Sequence, residues 1–322
     1  SGLQLRVHRF DSVLSLHIMR IILTGSSGFI GFHLAKVLLE MDYHVTGIDN
    51  HNDYYKKSLK IDRNKILEGK KNFTFHNLDL NDSLECINEK FDIAINLAAQ
   101  AGVRIPYADH SKYHHSNILG FKNFCNFCIK KSVKKIIYAS SSSVYDDSFI
   151  GKFSETRTKL KPKSTYGLSK LKNEQLSEEL HKKHSLQMIG LRFFSVYGPF
   201  GRPDMAYYHF TKSLIDGKKI KLFNNGEMLR DMTYIDDIVS GIIGAINFLN
   251  TKKNSFHEIF NLGSDDPISS KQLLSFLETE LNKTAVVYNQ NSFDESLFTH
   301  ASLSKSKRIL GYNPKIKFED GM

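Results

Sequence analysis

The sequence predicts an α/β protein: a doubly wound parallel sheet with a smaller C-terminal lobe. Three observations carry that expectation. Short apolar runs alternate with helical patterns from Met19 onward, the first run opens straight into a glycine-rich turn, and the alternation breaks down after Phe193. Strands separated by helix-length segments pair in parallel, because a parallel connection needs a crossover long enough to be a helix.

Taken in order, residues 21–23 are a short buried strand. Residues 28–40 follow as a helix with Ile30, Leu34, Val37 and Leu38 turned inward, at the three- and four-residue spacing of one helix face. Strands are expected at 44–48, 73–77 and 93–97. A helix over 118–131, a strand at 135–139, a helix over 166–184 and a strand at 188–192 come next. Beyond 193, loops rich in Gly, Pro and Asn and a helix over 269–281 predict a lobe wrapping the open end of the sheet. The expected division is 19–193 for a nucleotide-binding domain and 194–322 mainly for a substrate-binding lobe. Tyr234 and Ile235 mark a segment able to return to the main sheet. Residues 1–18 read as an appended leader, from the Ser-Gly opening and the Met that begins the first strand. The alternative there is a weak signal peptide, with Arg6 and Arg9 beside Val13, Leu14 and Leu16.

Composition narrows the function classes. No run approaches the ~18 to 20 apolar residues of a membrane span, so no membrane partner is expected. The 44 basic and 34 acidic residues leave a net charge of +10, which points to anionic partners such as phosphate or a uronate. The lysines are scattered into small groups (130, 131, 134 and 135; 159, 161 and 163) that read as solvated helix ends and loops rather than a nucleic-acid face. Cys125 and Cys128 share an apolar helix stripe with Phe121 and Phe124, and Cys86 is the only other thiol. A four-cysteine zinc site is impossible, so no metal is expected and a reduced, cytoplasmic setting follows.

The first strand runs into Gly25, Gly28 and Gly31, with Phe29 and Ile30 opening the helix. Glycines let the backbone turn tightly and bring its N–H groups against a pyrophosphate at the positive helix end. Asp49 ends the second strand 18 residues after Gly31, where a carboxylate accepts hydrogen bonds from an adenosine ribose and repels a 2′-phosphate. NAD is therefore expected over NADP, with Asn50 adjacent. Asp79 and Leu80 border the adenine, and Leu97, Ala98 and Ala99 are small enough for a cofactor to lie close across the sheet edge.

Tyr166 and Lys170 stand one helical turn apart, on one face. A phenol has an ordinary pKa near ~10, and a neighbouring ammonium with a bound cationic cofactor favours its ionised form, so Tyr166 is expected as a base near neutral pH. Ser141 and Ser142 follow a strand, in the crevice where ligands of such sheets bind.

The segments TGSSGFIG (24–31), NLAAQAGVR (96–104), ASSSSVY (139–145), TYGLSK (165–170), LRFFSVYGP (191–199) and RDMTYIDDI (230–238) together resemble the extended short-chain dehydrogenase/reductases, and within them the nucleotide-sugar 4-epimerases. The resemblance implies a Rossmann fold, NAD and a homodimer packed through the helices after Asn117 and Tyr166. It implies Tyr166 as catalytic base, Lys170 on the nicotinamide ribose, and Ser141, with Ser142, on the reacting hydroxyl. It also places Asn117 as a support of the active-site helix, counted with the cofactor site, Arg230 on the diphosphate and Phe223 by the uracil. NHNDYYKKSLK (50–60), QAGVR (100–104) and GRPDMAYYHFTK (201–212) are most similar to UDP-glucuronate 4-epimerases. Arg104 and Arg202 are accordingly candidates for a uronate carboxylate, ideally by a two-pronged bond. Ser195 stands where galactose epimerases carry Asn. Asp146 departs from the family's usual Gly.

The implied reaction is transient oxidation at C4, rotation of the 4-keto sugar and return of the hydride to its other face. Dehydratases and decarboxylases place a carboxyl group at the strand end, which the serine run lacks. An epimerase of another UDP-hexose or of a UDP-N-acetylhexosaminuronate is the alternative, and a non-catalytic NAD-sensing or RNA-binding relative the distant one.

Overall fold

The computed structural model describes residues 18–103, 105–145, 151–291 and 297–322. The expected leader and Arg104 fall outside the described residues, apart from Ile18, and so does Asp146. Seven parallel strands form the main sheet, in the order Phe256–Leu262, Gln187–Phe193, Lys135–Ser141, Ile93–Asn96, Arg20–Thr24, His44–Ile48, Phe73–His76. Ile21, Ile22 and Leu23 lose all exposure because helices cover both faces, which is why this strand reads as an unbroken apolar run. From that central strand the chain moves outward through the next two, then crosses back to Ile93–Asn96 on the other side. The crevice opened by the reversal lies beside the glycine turn.

Three differences from the sequence reading have physical causes. Residues 114–120 are wound as a π-helix (His114–Gly120) before the α-helix Phe121–Lys130, so the helix expected at 118 begins earlier. Alternation also continues beyond 193: the helix Ile235–Thr251 packs on Phe29–Glu40, and the strand Phe256–Leu262 pairs with Gln187–Phe193. Residues 194–234 form an excursion between two units of one sheet. Tyr234 does not return to it; it ends the strand Leu229–Tyr234, which pairs with Ser195–Tyr197 and Pro267–Ser269 in a separate three-stranded sheet.

The smaller lobe packs Ala206–Asp216 against Ser270–Leu281 through Phe210, Leu214, Leu273, Leu274 and Leu277. A capping box starts the second of these helices: Ser269 Oγ accepts from the Gln272 backbone N–H, and the Gln272 side chain accepts from that of Ser269. Cys125 and Cys128 are fully buried in the core, where desolvation pushes the Cys125 thiol up to about 12. Among the described residues no helix is long and apolar enough to cross a membrane.

The helix Thr165–His184 packs Leu171, Leu176 and Leu180 on the core and is anchored through charge as well. Its Glu174 receives Arg192 Nε at 2.9 Å and Nη2 at 2.7 Å, with both side chains less than a tenth exposed. Ser140 Oγ donates to the same carboxylate, and the guanidinium sits 4.6 Å from the Tyr145 ring centroid. Removing one partner of a buried pair strands the other charge. Glu174→Gln is therefore expected to lower the unfolding free energy by about 3–5 kcal/mol in urea titration, and Glu174→Met with Arg192→Met to recover most of it. A single-variant loss below about 1 kcal/mol would place the pair among solvated ones.

Candidate active site

A cavity of about 930 Å³ runs along the carboxyl ends of the parallel strands and out under the smaller lobe. At one end lie Gly25, Gly28, Phe29, Ile30, Gly31, Asp49, Asn50, Asp79, Leu80, Leu97, Ala98 and Ala99. Gly25 holds φ +73°, and a Cβ there would come within 2.7 Å of the Ala98 backbone nitrogen. Only glycine lets the turn lie this close to the neighbouring strand's exit. The helix Phe29–Glu40 starts at Gly28 without a side-chain cap, so its first N–H groups remain for a ligand. Asp49 braces the turn, accepting from Ser27 N at 3.2 Å and His51 N at 2.9 Å. An uncapped helix start, a glycine cradle and a carboxylate at the second strand's end fit a dinucleotide.

At the cavity's middle, Ser141 and Ser142 face the start of the helix Thr165–His184. Ser164 Oγ caps that helix by accepting from Gly167 N at 3.0 Å. Gly167 has a reason to be glycine: a Cβ there would lie 2.2 Å from the Ser143 carbonyl. The close approach sets Tyr166 and Lys170 against the serine turn, and both line the cavity.

The expected activation of Tyr166 includes a bound cofactor, and the protein's own groups act on the phenol as follows. Lys170 Nζ donates to the Ala139 carbonyl at 2.9 Å and lies 5.8 Å from the Tyr166 ring centroid; burial pulls its pKa down to about 8. Burial pushes the Tyr166 phenol above its ordinary value, opposed by the Arg202 charge and a hydrogen bond with Ser141. The protein's own groups leave the phenol raised: the lysine gives one of its three donors to a backbone carbonyl, and desolvation outweighs the help of Arg202 and Ser141. A cation bound in the adjoining cavity would act in the opposite direction.

Asn117 stands where a support of the active-site helix is expected. It does not line the cavity. Buried in the π-helix, it accepts from Gln100 N at 2.7 Å and donates to Gln100 O at 3.2 Å and Ser169 Oγ at 2.9 Å. It ties the loop after the fourth strand to the helix of Tyr166 and Lys170.

Arg202 lines the cavity, but its guanidinium is engaged. Nε donates to Asp204 Oδ1 at 3.0 Å, Nη2 donates to Oδ2, and the Tyr54 hydroxyl donates to Oδ2 at 2.9 Å. The two-pronged edge expected for a ligand carboxylate is held by Asp204, leaving three of the five N–H donors. Ser195, Phe223 and Arg230 line the far end, Arg230 through a side chain that donates to the Leu229 carbonyl at 2.9 Å. Sequence reasoning missed Lys221 and Tyr288 there: Lys221 Nζ lies 5.5 Å from the Phe223 ring centroid and 5.9 Å from that of Tyr288. Tyr54 and Asp204 were legible only as parts of the quoted motifs.

The model of the NAD dependent epimerase/dehydratase family matches residues 21–263. The chain is 38% identical to UDP-glucuronate 4-epimerase 4 of Arabidopsis thaliana, over 94% of this chain and 73% of that one. It is 43% identical to an uncharacterized protein of Methanocaldococcus jannaschii, over 94% of this chain and 93% of the relative. A crystal structure of UDP-glucuronic acid 4-epimerase from Bacillus cereus, in complex with UDP-glucuronic acid and NAD, matches with a TM-score of 0.88 at 35% identity, covering 94% of this chain and 96% of that one.

Asp49 gives the cofactor end its test. Asp49→Ala removes both the turn's brace and the charge that repels a 2′-phosphate, so NAD binding should weaken and the preference for NAD over NADP should narrow. Direct titration with both dinucleotides checks this; an unchanged ratio would move ribose recognition elsewhere.

Proposed function

Because the chain belongs to the NAD dependent epimerase/dehydratase family, we propose that it is an NAD-dependent isomerase that interconverts UDP-glucuronate and UDP-galacturonate. One observation carries the reading: a single cavity joins the glycine turn, the Tyr166–Lys170 pair and Arg202, the parts that a dinucleotide, a sugar C4 and a uronate carboxylate would require. The relatives named for this reaction support the substrate. Bound NAD⁺ supplies a hydride acceptor that returns what it takes, so the sugar passes through a 4-keto form with no net redox change.

The chain's own residues do the rest. Tyr166 removes the C4 hydroxyl proton and later returns it. Ser141, already hydrogen-bonded with Tyr166, holds the reacting oxygen beside it. Lys170 fixes the nicotinamide ribose and keeps its charge below the tyrosine ring. Arg230 and Phe223 hold the diphosphate and the uracil while the sugar turns over between hydride departure and return. Ser195 and the free donors of Arg202 hold the carboxylate out of line with the C4 ketone, since a β-keto acid loses CO₂ when its departing electrons overlap the carbonyl. Ser140 to Ser143 offer no carboxyl group for dehydration. The reading includes a cytoplasmic homodimer, supported by Leu119 and Leu168, exposed on the two helical segments the resemblance pairs.

The Arg202–Asp204 pair favours a second reading, epimerisation of a neutral UDP-hexose, because a guanidinium already neutralised selects an acid less strongly.

Tyr166→Phe should retain fold and NAD while lowering kcat a thousandfold or more, roughly 4 kcal/mol of barrier. Near wild-type turnover would remove the tyrosine from the chemistry. A charge-assisted bond contributes ~1.5 to 3 kcal/mol, so Arg202→Met should lower kcat/KM for UDP-glucuronate by tens to hundreds and leave a neutral UDP-hexose far less affected. Chromatography of the C4 epimers, with CO₂ release followed in parallel, measures both. Equal losses would place Arg202 at the diphosphate and favour the second reading.

A further inference from the structure

The helix Lys57–Glu68 reads as a surface helix, yet its Arg63 is fully buried. An arginine in such a place normally meets a carboxylate, because desolvating a charge costs free energy that neutral acceptors return only in part. Among the described residues, every hydrogen-bond partner of Arg63 is neutral. Nη1 donates to the Ser27 carbonyl at 3.0 Å and to the Tyr55 hydroxyl at 2.7 Å, and Nη2 donates to the Phe200 carbonyl and, at 3.4 Å, to the Gly201 carbonyl. Nε has no partner among the described residues. An apolar residue would pack this helix as Leu67 does, one turn on, so burial alone does not require the charge.

The fork's two ends point to its use. Ser27 lies inside the glycine turn, while Phe200 and Gly201 immediately precede Arg202. Phe200 holds φ +57°, a left-handed backbone that a bulky residue keeps only where its surroundings fix it. Arg63 takes that residue's carbonyl, and the Phe200 ring packs 5.1 Å from Phe32 on the glycine-turn helix.

We propose that Arg63 is a positioning residue that fixes the Arg202 loop to the cofactor turn, so that the substrate contact is set from the cofactor side. The inference rests on Arg202 touching substrate, and its test separates the two. Arg63→Met removes the fork at similar length. Its KM for UDP-glucuronate should rise about tenfold in the wild-type background but less than about threefold in Arg202→Met, because residues acting through one contact are not additive. NAD content per chain should stay unchanged. The same factor in both backgrounds, a lower Tm with unchanged KM, or a loss confined to NAD affinity would each overturn the proposal. Should Arg63→Met fail to fold, Arg63→Lys keeps the charge but loses the fork that spans both loops, and should show the same rise. A wild-type KM in Arg63→Lys would overturn the proposal equally. Failure of the Arg202 assignment reads out separately, as equal losses on acidic and neutral substrates in Arg202→Met alone.

Discussion

The distance between the helix Thr165–His184 and the end of the strand Lys135–Ser141 governs the geometry of the site. Gly167 permits backbone contact with Ser143, and two polar ties then hold it: Lys170 on the Ala139 carbonyl, and Glu174 on Ser140 and Arg192. Lys170 and Glu174 lie on successive turns of one helix face, so the helix cannot rotate or slide without breaking both ties. Tyr166, in the first turn, inherits its position from that lock. The arrangement explains why the buried face of this helix is polar (Ser169, Lys170, Asn173, Glu174 and Ser177) where an ordinary core helix would be apolar.

That polar face also sets what was legible in the sequence. Apolar periodicity is weak along residues 165–184, and the Tyr-x-x-x-Lys spacing, rather than hydrophobic pattern, identifies the helix. The glycine turn and the strand His44–Ile48 are readable almost to the residue, because strand burial and turn chemistry are local signals. Strand Phe256–Leu262 is harder: it lies at the sheet edge with its first half part-exposed, so it lacks the continuous apolar run of the central strands. The π-helix has no sequence period to announce it. The Arg202–Asp204 pair depends on loop conformation, and Arg63 belongs to a helix whose buried positions also include Lys60 and Asn64, which any composition-based reading assigns to solvent.

Arg202 favours the ionised tyrosine, but the cations near the phenol are also committed elsewhere. Lys170 lies 5.8 Å from the Tyr166 ring but gives its hydrogen bond to a backbone carbonyl, and Arg202 gives its two-pronged edge to Asp204. Burial therefore prevails at the phenol. A cation bound in the adjoining cavity would favour the ionised phenol instead.

The same logic extends to the substrate end. A free guanidinium would attract any anion entering the cavity, diphosphate included, and would let a misplaced phosphate compete with the sugar. Asp204 neutralises that attraction, and the Tyr54 hydroxyl gives Asp204 a partner besides Arg202. The cost is weaker selection by charge alone, so discrimination between acidic and neutral sugars falls to how accurately the remaining donors are placed. Accuracy of that kind comes from a fixed backbone rather than from net charge. A strained Phe200 and a buried Arg63, two structural expenses beside Arg202, are what such a backbone requires.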